Sequence, residues 1–343
     1  MKIKKIINDY PKGKDFYIYA ETAFIHDGDY NYLTNLIDAA AKSKSDGIKF
    51  QILIENENAN TKNLENFNDI YKWIFSEKQW LNIIKKAKQK NLEVTVLPID
   101  VKAARFCKEN KKYIDALEIH SACFNDYFLL KEIIEIPNMP IILGIGGRTI
   151  EDIDYALKIL KGNNNIILMY GFQSFPTKIE DINLSKIKKY IDQYNLPIGY
   201  ADHTRFDDEF GDSMVEYAYT MGARVFEKHI TLEKGKKRVD YDSAVDYRDI
   251  LNLRKKLDKI VKVLGNDSFD LNDAEKSYRN REKQLVFVRE INAGEIIDYS
   301  HLGFKVSTIT SDFEQKDINK VVGRKASKDM QVDDVVKERD LVK

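Results

Sequence analysis

Eight short apolar runs, each followed by a stretch with helical spacing, alternate along the first 265 residues of this chain. The runs are DFYIYAE (15–21), GIKFQ (47–51), LEVTVLP (92–98), ALEIHS (116–121), PIILGI (140–145), NIILMYG (165–171), PIGYADH (197–203) and ARVFEKH (223–229). Their β-branched and aromatic content between Gly, Pro and Asn signals reads as strand. Stretches such as NYLTNLIDAAAKSK, QWLNIIKKAKQK and IEDIDYALKILKG carry apolar residues at helical spacing. Uninterrupted β–α repeats of this number predict a closed parallel (β/α)8 TIM barrel. A doubly wound open sheet is the rival, but no G-x-G-x-x-G follows the first run.

Near residue 266 the pattern changes. GNDSFDLNDAEKSYRNREK is polar and Asn-rich, which predicts a linker over 266–282 between a barrel domain (1–265) and a small β-rich domain (283–343). So short a tail buries only a marginal core, so it is expected to lean on another surface. Lys+Arg and Asp+Glu both number 55, and the net charge of zero removes the electrostatic case for a nucleic-acid partner. No apolar run is long enough to predict a membrane span. The opening MKIKKIINDYPKGKDF lacks the apolar core of a signal peptide and reads as an edge segment. Two cysteines, Cys107 and Cys123, make no disulfide framework, so a reducing cytoplasm is expected.

In a barrel of this kind, chemistry sits at the carboxyl ends of the strands. Side chains alternate faces, so Tyr17, Tyr19 and Glu21 share one, as do Lys49 with Gln51, Ala201 with His203, and Glu227 with His229. Charged groups facing inward at a barrel mouth are costly unless paired or bound to something. His203 and His229 end neighbouring strands, about 4.8 Å apart, and can share one divalent cation. Singly, each histidine could instead be a hydrogen-bonded interior residue. Lys49 could snorkel to water, and Glu21 could simply pair with Lys49. GIGGRT places Arg148 at the end of the fifth run, where a guanidinium suits a carboxylate or phosphate.

With these residues in view, the chain resembles the N-acetylneuraminate (sialic acid) synthase family over nearly its whole length. AETAFIHDGD resembles the family's A-E-x-G-x-N-H-x-G, matching Glu21 and Gly28, and SDGIKFQ resembles A-D-A-V-K-F-Q, matching Lys49 and Gln51. PIGYADHT is close to P-x-G-x-S-D-H-T, and GARVFEKHITLEK to G-A-x-x-x-E-K-H-F-T-L. The tail REINAGEIIDYSHLGFKV resembles the small SAF, or antifreeze-like, domain that ends these enzymes. The resemblance implies a metal-dependent condensation of phosphoenolpyruvate with an open-chain N-acyl amino sugar, giving a nine-carbon 2-keto acid and phosphate. His203 and His229 fall on its metal ligands, with manganese expected and magnesium or zinc as alternatives. Glu21, Asp202 and Glu227 are the catalytic carboxylates so implied. Lys49, Gln51, Ser121, Arg148, Gln173, Phe175 and Asp240 are the substrate contacts. The SAF domain implies a swapped homodimer.

The departures from the family pattern fall on its anion-holding groups. Glu118 stands where the family has lysine, Cys123 for glutamate, Gly144 for serine and Ala201 for serine. Gln173 and Phe175 replace asparagine and tyrosine, and KVSTI replaces the SAF motif R-P-G. Arg148, Arg205 and Lys228 are the candidate compensating cations. A different donor or acceptor on the same fold and metal site, or a non-catalytic sugar-binding role, is the alternative.

Overall fold

The structure, a computed structural model, describes every residue except 164, 172, 173 and 343. The chain divides into two compact units, 1–265 and 266–343. In the first, eight parallel strands pair in chain order and β1 closes on β8. They are β1 (Tyr17–Glu21), β2 (Gly47–Ile52), β3 (Glu93–Pro98), β4 (Ala116–Ile119), β5 (Ile141–Gly144), β6 (Ile166–Tyr170), β7 (Ile198–Asp202) and β8 (Val225–His229). Helices such as Tyr30–Lys42, Glu77–Gln89 and Tyr247–Leu264 connect them or follow them. This is the TIM barrel that the repeats predict.

The strands read as continuous apolar runs because both of their faces are covered. Outward residues such as Ile18, Ile48, Phe50, Val94 and Val96 join the large cluster under the helices. Inward residues Tyr17, Tyr19, Ala116, Ile142, Ile167 and Val225 fill the barrel itself. Register then sets which side chains meet at the top. Glu21 pairs with Lys49 on one side and His229 on the other, and Ala201 pairs with Glu227.

The opening segment is not an edge. It forms a helix, Lys2–Asp9, whose Ile3 and Ile6 join the inward cluster with Tyr17 and Tyr19. The Glu93 carboxylate accepts from Ile3 N at 3.2 Å and so satisfies one of the helix's orphan donors. The signal was present in the spacing of Ile3, Ile6 and Ile7, but a floor for the barrel is needed only once the strands have closed. Gly28, matched to the opening motif, serves space: its φ is +82°, and a Cβ there would lie 1.9 Å from the Lys72 carbonyl oxygen.

The second unit carries its own core, with Leu285, Phe287, Ile297, Val321 and Val336 buried together. Two antiparallel pairs frame it: β9 (Gln284–Phe287) with β10 (Leu302–Lys305), and β11 (Lys325–Ala326) with β12 (Leu341–Val342). The stretch read as a linker holds a short helix, Asp273–Arg279, capped by Asn272. No helix among the described residues is long and apolar enough to cross a membrane.

Candidate active site

At the carboxyl ends of the strands the barrel opens into a cavity of about 290 Å³, near the lower end for small-molecule sites. Its wall includes Lys49, Gln51, Glu118, Ser121, Phe175, His203, Glu227, His229 and Asp240. The two imidazoles that end β7 and β8 meet there, with Nε2 atoms 3.1 Å apart. Glu227 Oε1 lies 3.7 Å from each of those nitrogens. One ligand atom from each of the three residues falls within 4.8 Å of the others, and all three are buried. Two imidazoles and a carboxylate form a donor set for Mn²⁺, Fe²⁺ or Zn²⁺.

The surroundings prepare these groups as ligands. The Ala201 carbonyl lies 3.3 Å from His203 Nδ1, and a proton held there would make Nε2 the ligating nitrogen. Burial lowers the pKa of both histidines, and each also feels the Lys49 charge, so both stay neutral. Glu227 is the reverse case. Burial favours its neutral form, but Lys49 and the two imidazoles outweigh that and hold it at about 2. His229 Nδ1 is buried with no hydrogen-bond partner among the described residues. The Phe175 ring packs 5.8 Å from His203 and 5.6 Å from His229, covering the pair with apolar surface.

Below the histidines lies a tight charge cluster. Lys49 Nζ sits 2.7 Å from Glu118 Oε1, 2.7 Å from Glu227 Oε2 and 3.0 Å from Glu21 Oε2. Its side chain is only 2% exposed, so it does not snorkel, and the pairing with Glu21 is real. The Tyr19 hydroxyl lies 2.8 Å from both Glu118 Oε2 and Glu227 Oε2 and can donate to either. Burial works against the Lys49 charge, yet Glu118 and Glu227 raise its pKa on balance. Glu118 is pushed up to about 7, first by burial and then by Glu227, against the pull of Lys49.

Residues 36–269 match the NeuB family, and residues 283–342 match the SAF domain. The chain belongs to the NeuB family. It is 28% identical to an uncharacterized protein of Methanocaldococcus jannaschii over 96% of each chain. It is 26% identical to the N,N'-diacetyllegionaminic acid synthase of Campylobacter jejuni, covering 94% of this chain and 98% of that one. Among solved structures, the N-acetylneuraminic acid synthetase of Leptospira borgpetersenii, in complex with citrate, superposes with a TM-score of 0.71 at 28% identity. That match covers 78% of this chain and 93% of the other. Such identities mark a divergent member of the NeuB family.

Within this NeuB barrel, most residues expected at the site do gather there: Lys49, Gln51, Ser121, Phe175, His203, Glu227, His229 and Asp240 line one cavity. Glu21 stands just behind it, fully buried, accepting from Gln51 Nε2 at 3.1 Å and Ala23 N at 2.8 Å. Gln173 lies outside the described residues. Asp202 is a correction. Strand alternation turns it away from the cavity, where Lys228 Nζ donates to Oδ2 at 2.6 Å and Thr204 donates to Oδ1. It therefore holds the outer side of β7 and β8 and does not line the cavity. Lys228 is consumed by this pair, and Arg205 is exposed and paired with Asp207 and Asp242. Arg148 lies outside the cavity wall, half-buried after β5. None of the three proposed compensating cations therefore enters the cavity.

Three wall residues, Phe24, His120 and Met169, were not picked out from sequence, and Glu118 was noted only as a departure. Yet Ala116, Glu118 and His120 alternate on one face of ALEIHS, so the pattern that found Glu227 and His229 could also have found Glu118 and His120. Burial pushes the Cys123 thiol up to about 11, which disfavours a thiolate at neutral pH.

The placement of Asp202 gives a direct check. Asp202→Ala is expected to cost about 3–5 kcal/mol of folding free energy, because it strands a buried Lys228 charge. Its affinity for Mn²⁺ should be unchanged. Urea unfolding and Mn²⁺ titration of the same sample separate these outcomes, and lost metal binding in a stable protein would return Asp202 to the site.

Proposed function

We propose that this chain joins a three-carbon donor, phosphoenolpyruvate, to the aldehyde carbon of an open-chain N-acyl amino sugar, giving a nine-carbon 2-keto acid. The observation that carries this reading is the convergence of His203, Glu227 and His229 at the barrel mouth, in a cavity also lined by Gln51 and Asp240. Those three residues would hold a divalent cation, manganese first. Once bound, the cation supplies Lewis-acid polarisation of the aldehyde oxygen.

The chain's own groups do the rest. Asp240 and Gln51 offer an acceptor and a donor for sugar hydroxyls and the acyl amide. Glu21 fixes Gln51 and Lys49 in place through its two oxygens. Phe175 excludes water from the histidine pair. The names of the Campylobacter and Leptospira relatives support a sialic-acid-type product.

The resemblance implies phosphoenolpyruvate as donor: C3 forms the new bond, water adds at C2, and phosphate leaves. A second reading, the same addition with another donor, is favoured by the three carboxylates that surround Lys49. The test incubates the full chain with Mn²⁺, a panel of N-acyl amino sugars and either phosphoenolpyruvate or pyruvate. Mass spectrometry should find a nine-carbon 2-keto acid; its absence with every sugar and both donors sinks the proposal. The homodimer that the resemblance implies is part of the same proposal, and light scattering of the full chain checks it. A reducing cytoplasm suits the two unpaired thiols.

A further inference from the structure

Phosphoenolpyruvate brings a carboxylate and a phosphate, and the cavity must meet both. Among the described residues, Lys49 is the one ammonium or guanidinium in the wall, and it donates to Glu118 and Glu227 at 2.7 Å each. The neutral donors in the wall include Gln51, Ser121 and His120. Gln51 Nε2 donates to Glu21 at 3.1 Å. Ser121 and His120 stand side by side just past the end of β4.

The main chain sets His120 up as a donor. Its Nδ1 accepts from Ala122 N at 3.0 Å, capping the short turn Ser121–Cys123. A ring nitrogen that accepts an N–H carries no proton, so the neutral imidazole holds its proton on Nε2. The ring is neutral: burial first, then the charge of Lys49, lowers its pKa to about 4. Glu227 and His203 also act on it, which puts the ring within electrostatic reach of the candidate metal residues. Strand alternation gives His120 the same face as Glu118. Across the β4–β5 pair stands Gly144, also in the wall, where the family carries serine. A Cβ at Gly144 would lie 3.2 Å from the Ile119 carbonyl oxygen and 3.3 Å from Ser121 N. The chain around His120 therefore packs against Gly144, and the two positions share one part of the wall.

We propose that His120 binds the phosphate of phosphoenolpyruvate through Nε2–H, a neutral donor on β4 in place of the hydroxyl missing at Gly144, with the Ser121 hydroxyl beside it. The inference rests on the phosphoenolpyruvate reading above. The contact is a hydrogen bond to a charged acceptor, and no proton changes hands.

Two variants separate this role from that of a turn cap. His120→Asn keeps a side-chain acceptor for Ala122 N but falls short of the position of Nε2. His120→Gln carries a neutral N–H out to about that position. In calorimetric titrations of the full chain with Mn²⁺, His120→Asn should weaken phosphoenolpyruvate at least about tenfold, the cost of one hydrogen bond to a charged group. His120→Gln should restore most of that loss. Pyruvate, which lacks the phosphate, should bind all three chains alike, and thermal unfolding reads the fold of each. Nitrogen NMR of the full chain carrying ¹⁵N-histidine gives a second measurement, with the His120 signal assigned by its loss in His120→Gln. It should show the proton on Nε2, and the Nε2 signal should move when phosphoenolpyruvate is added. The inference fails if a folded His120→Asn chain binds phosphoenolpyruvate as the unaltered one does, or if both variants weaken it equally. It also fails if pyruvate loses as much, or if the proton sits on Nδ1. Should His120→Asn not fold, the NMR measurement decides. If phosphoenolpyruvate binds the unaltered chain and these outcomes fail, the inference alone falls. If it does not bind while Mn²⁺ and an N-acyl amino sugar do, the donor assignment falls with it.

Discussion

Lys49→Met should be the most damaging single change in the barrel, costing about 3–5 kcal/mol at neutral pH. It leaves Glu21, Glu118 and Glu227 buried together without their shared cation. Methionine keeps much of the volume, so the loss is electrostatic and not a cavity effect. The pH dependence gives the signature. With Lys49 gone, the folded-state pKa values of Glu118 and Glu227 rise, because the ammonium that lowers both is lost while burial still favours their neutral forms. A group raised on folding contributes stability below its unfolded pKa and loses it as pH climbs through the folded value. The variant should therefore be most stable near pH 4–5 and weaken steadily towards pH 8.

In the unaltered chain, two opposed terms are already visible. Glu118, raised to about 7, contributes stability that is lost as pH rises from 4.5 to about 7. Glu227, depressed to about 2, contributes stability that is lost as pH falls from 4.5 to about 2. Denaturant midpoints for both chains from pH 4 to pH 8, with chelator present, resolve the slopes. A Lys49→Met chain as stable at pH 8 as the unaltered one would mean that the ammonium does not hold the cluster together.

His229→Ala should abolish the proposed metal site. Loss of a direct ligand should weaken Mn²⁺ binding beyond the roughly 10–100-fold that loss of an outer-shell partner costs. Product formation should fall with it. The apo protein should be little affected, because His229 Nδ1 already lacks a hydrogen-bond partner among the described residues. Electron paramagnetic resonance of free Mn²⁺ reads binding directly, and thermal unfolding in chelator reads the fold. If His229→Ala binds Mn²⁺ as the unaltered chain does, the three residues are not a metal site.

The barrel itself was legible in the sequence because eight apolar runs separated by helical periods leave few ways to cover both sheet faces. Much of the site was legible for a related reason. Side-chain alternation is fixed by the strand backbone, so Lys49 with Gln51, and Glu227 with His229, share faces in any strand that holds them. The same rule places Asp202 opposite Ala201 and His203, so its family-motif assignment as a catalytic group gave way to local geometry. The floor helix was missed because its spacing, though helical, was short and basic.

What the chain order alone could not decide was who pairs with whom across the barrel. Lys49 lies 69 positions from Glu118 and 178 from Glu227, and only closure of the sheet brings those groups within 2.7 Å. Sequence therefore determined that a lysine, several carboxylates and two imidazoles would crowd the strand ends. The tertiary structure decided that the lysine is spent on three glutamates and that both imidazoles aim at one point. Through-space electrostatics depends on distance in the folded molecule and not on separation along the chain.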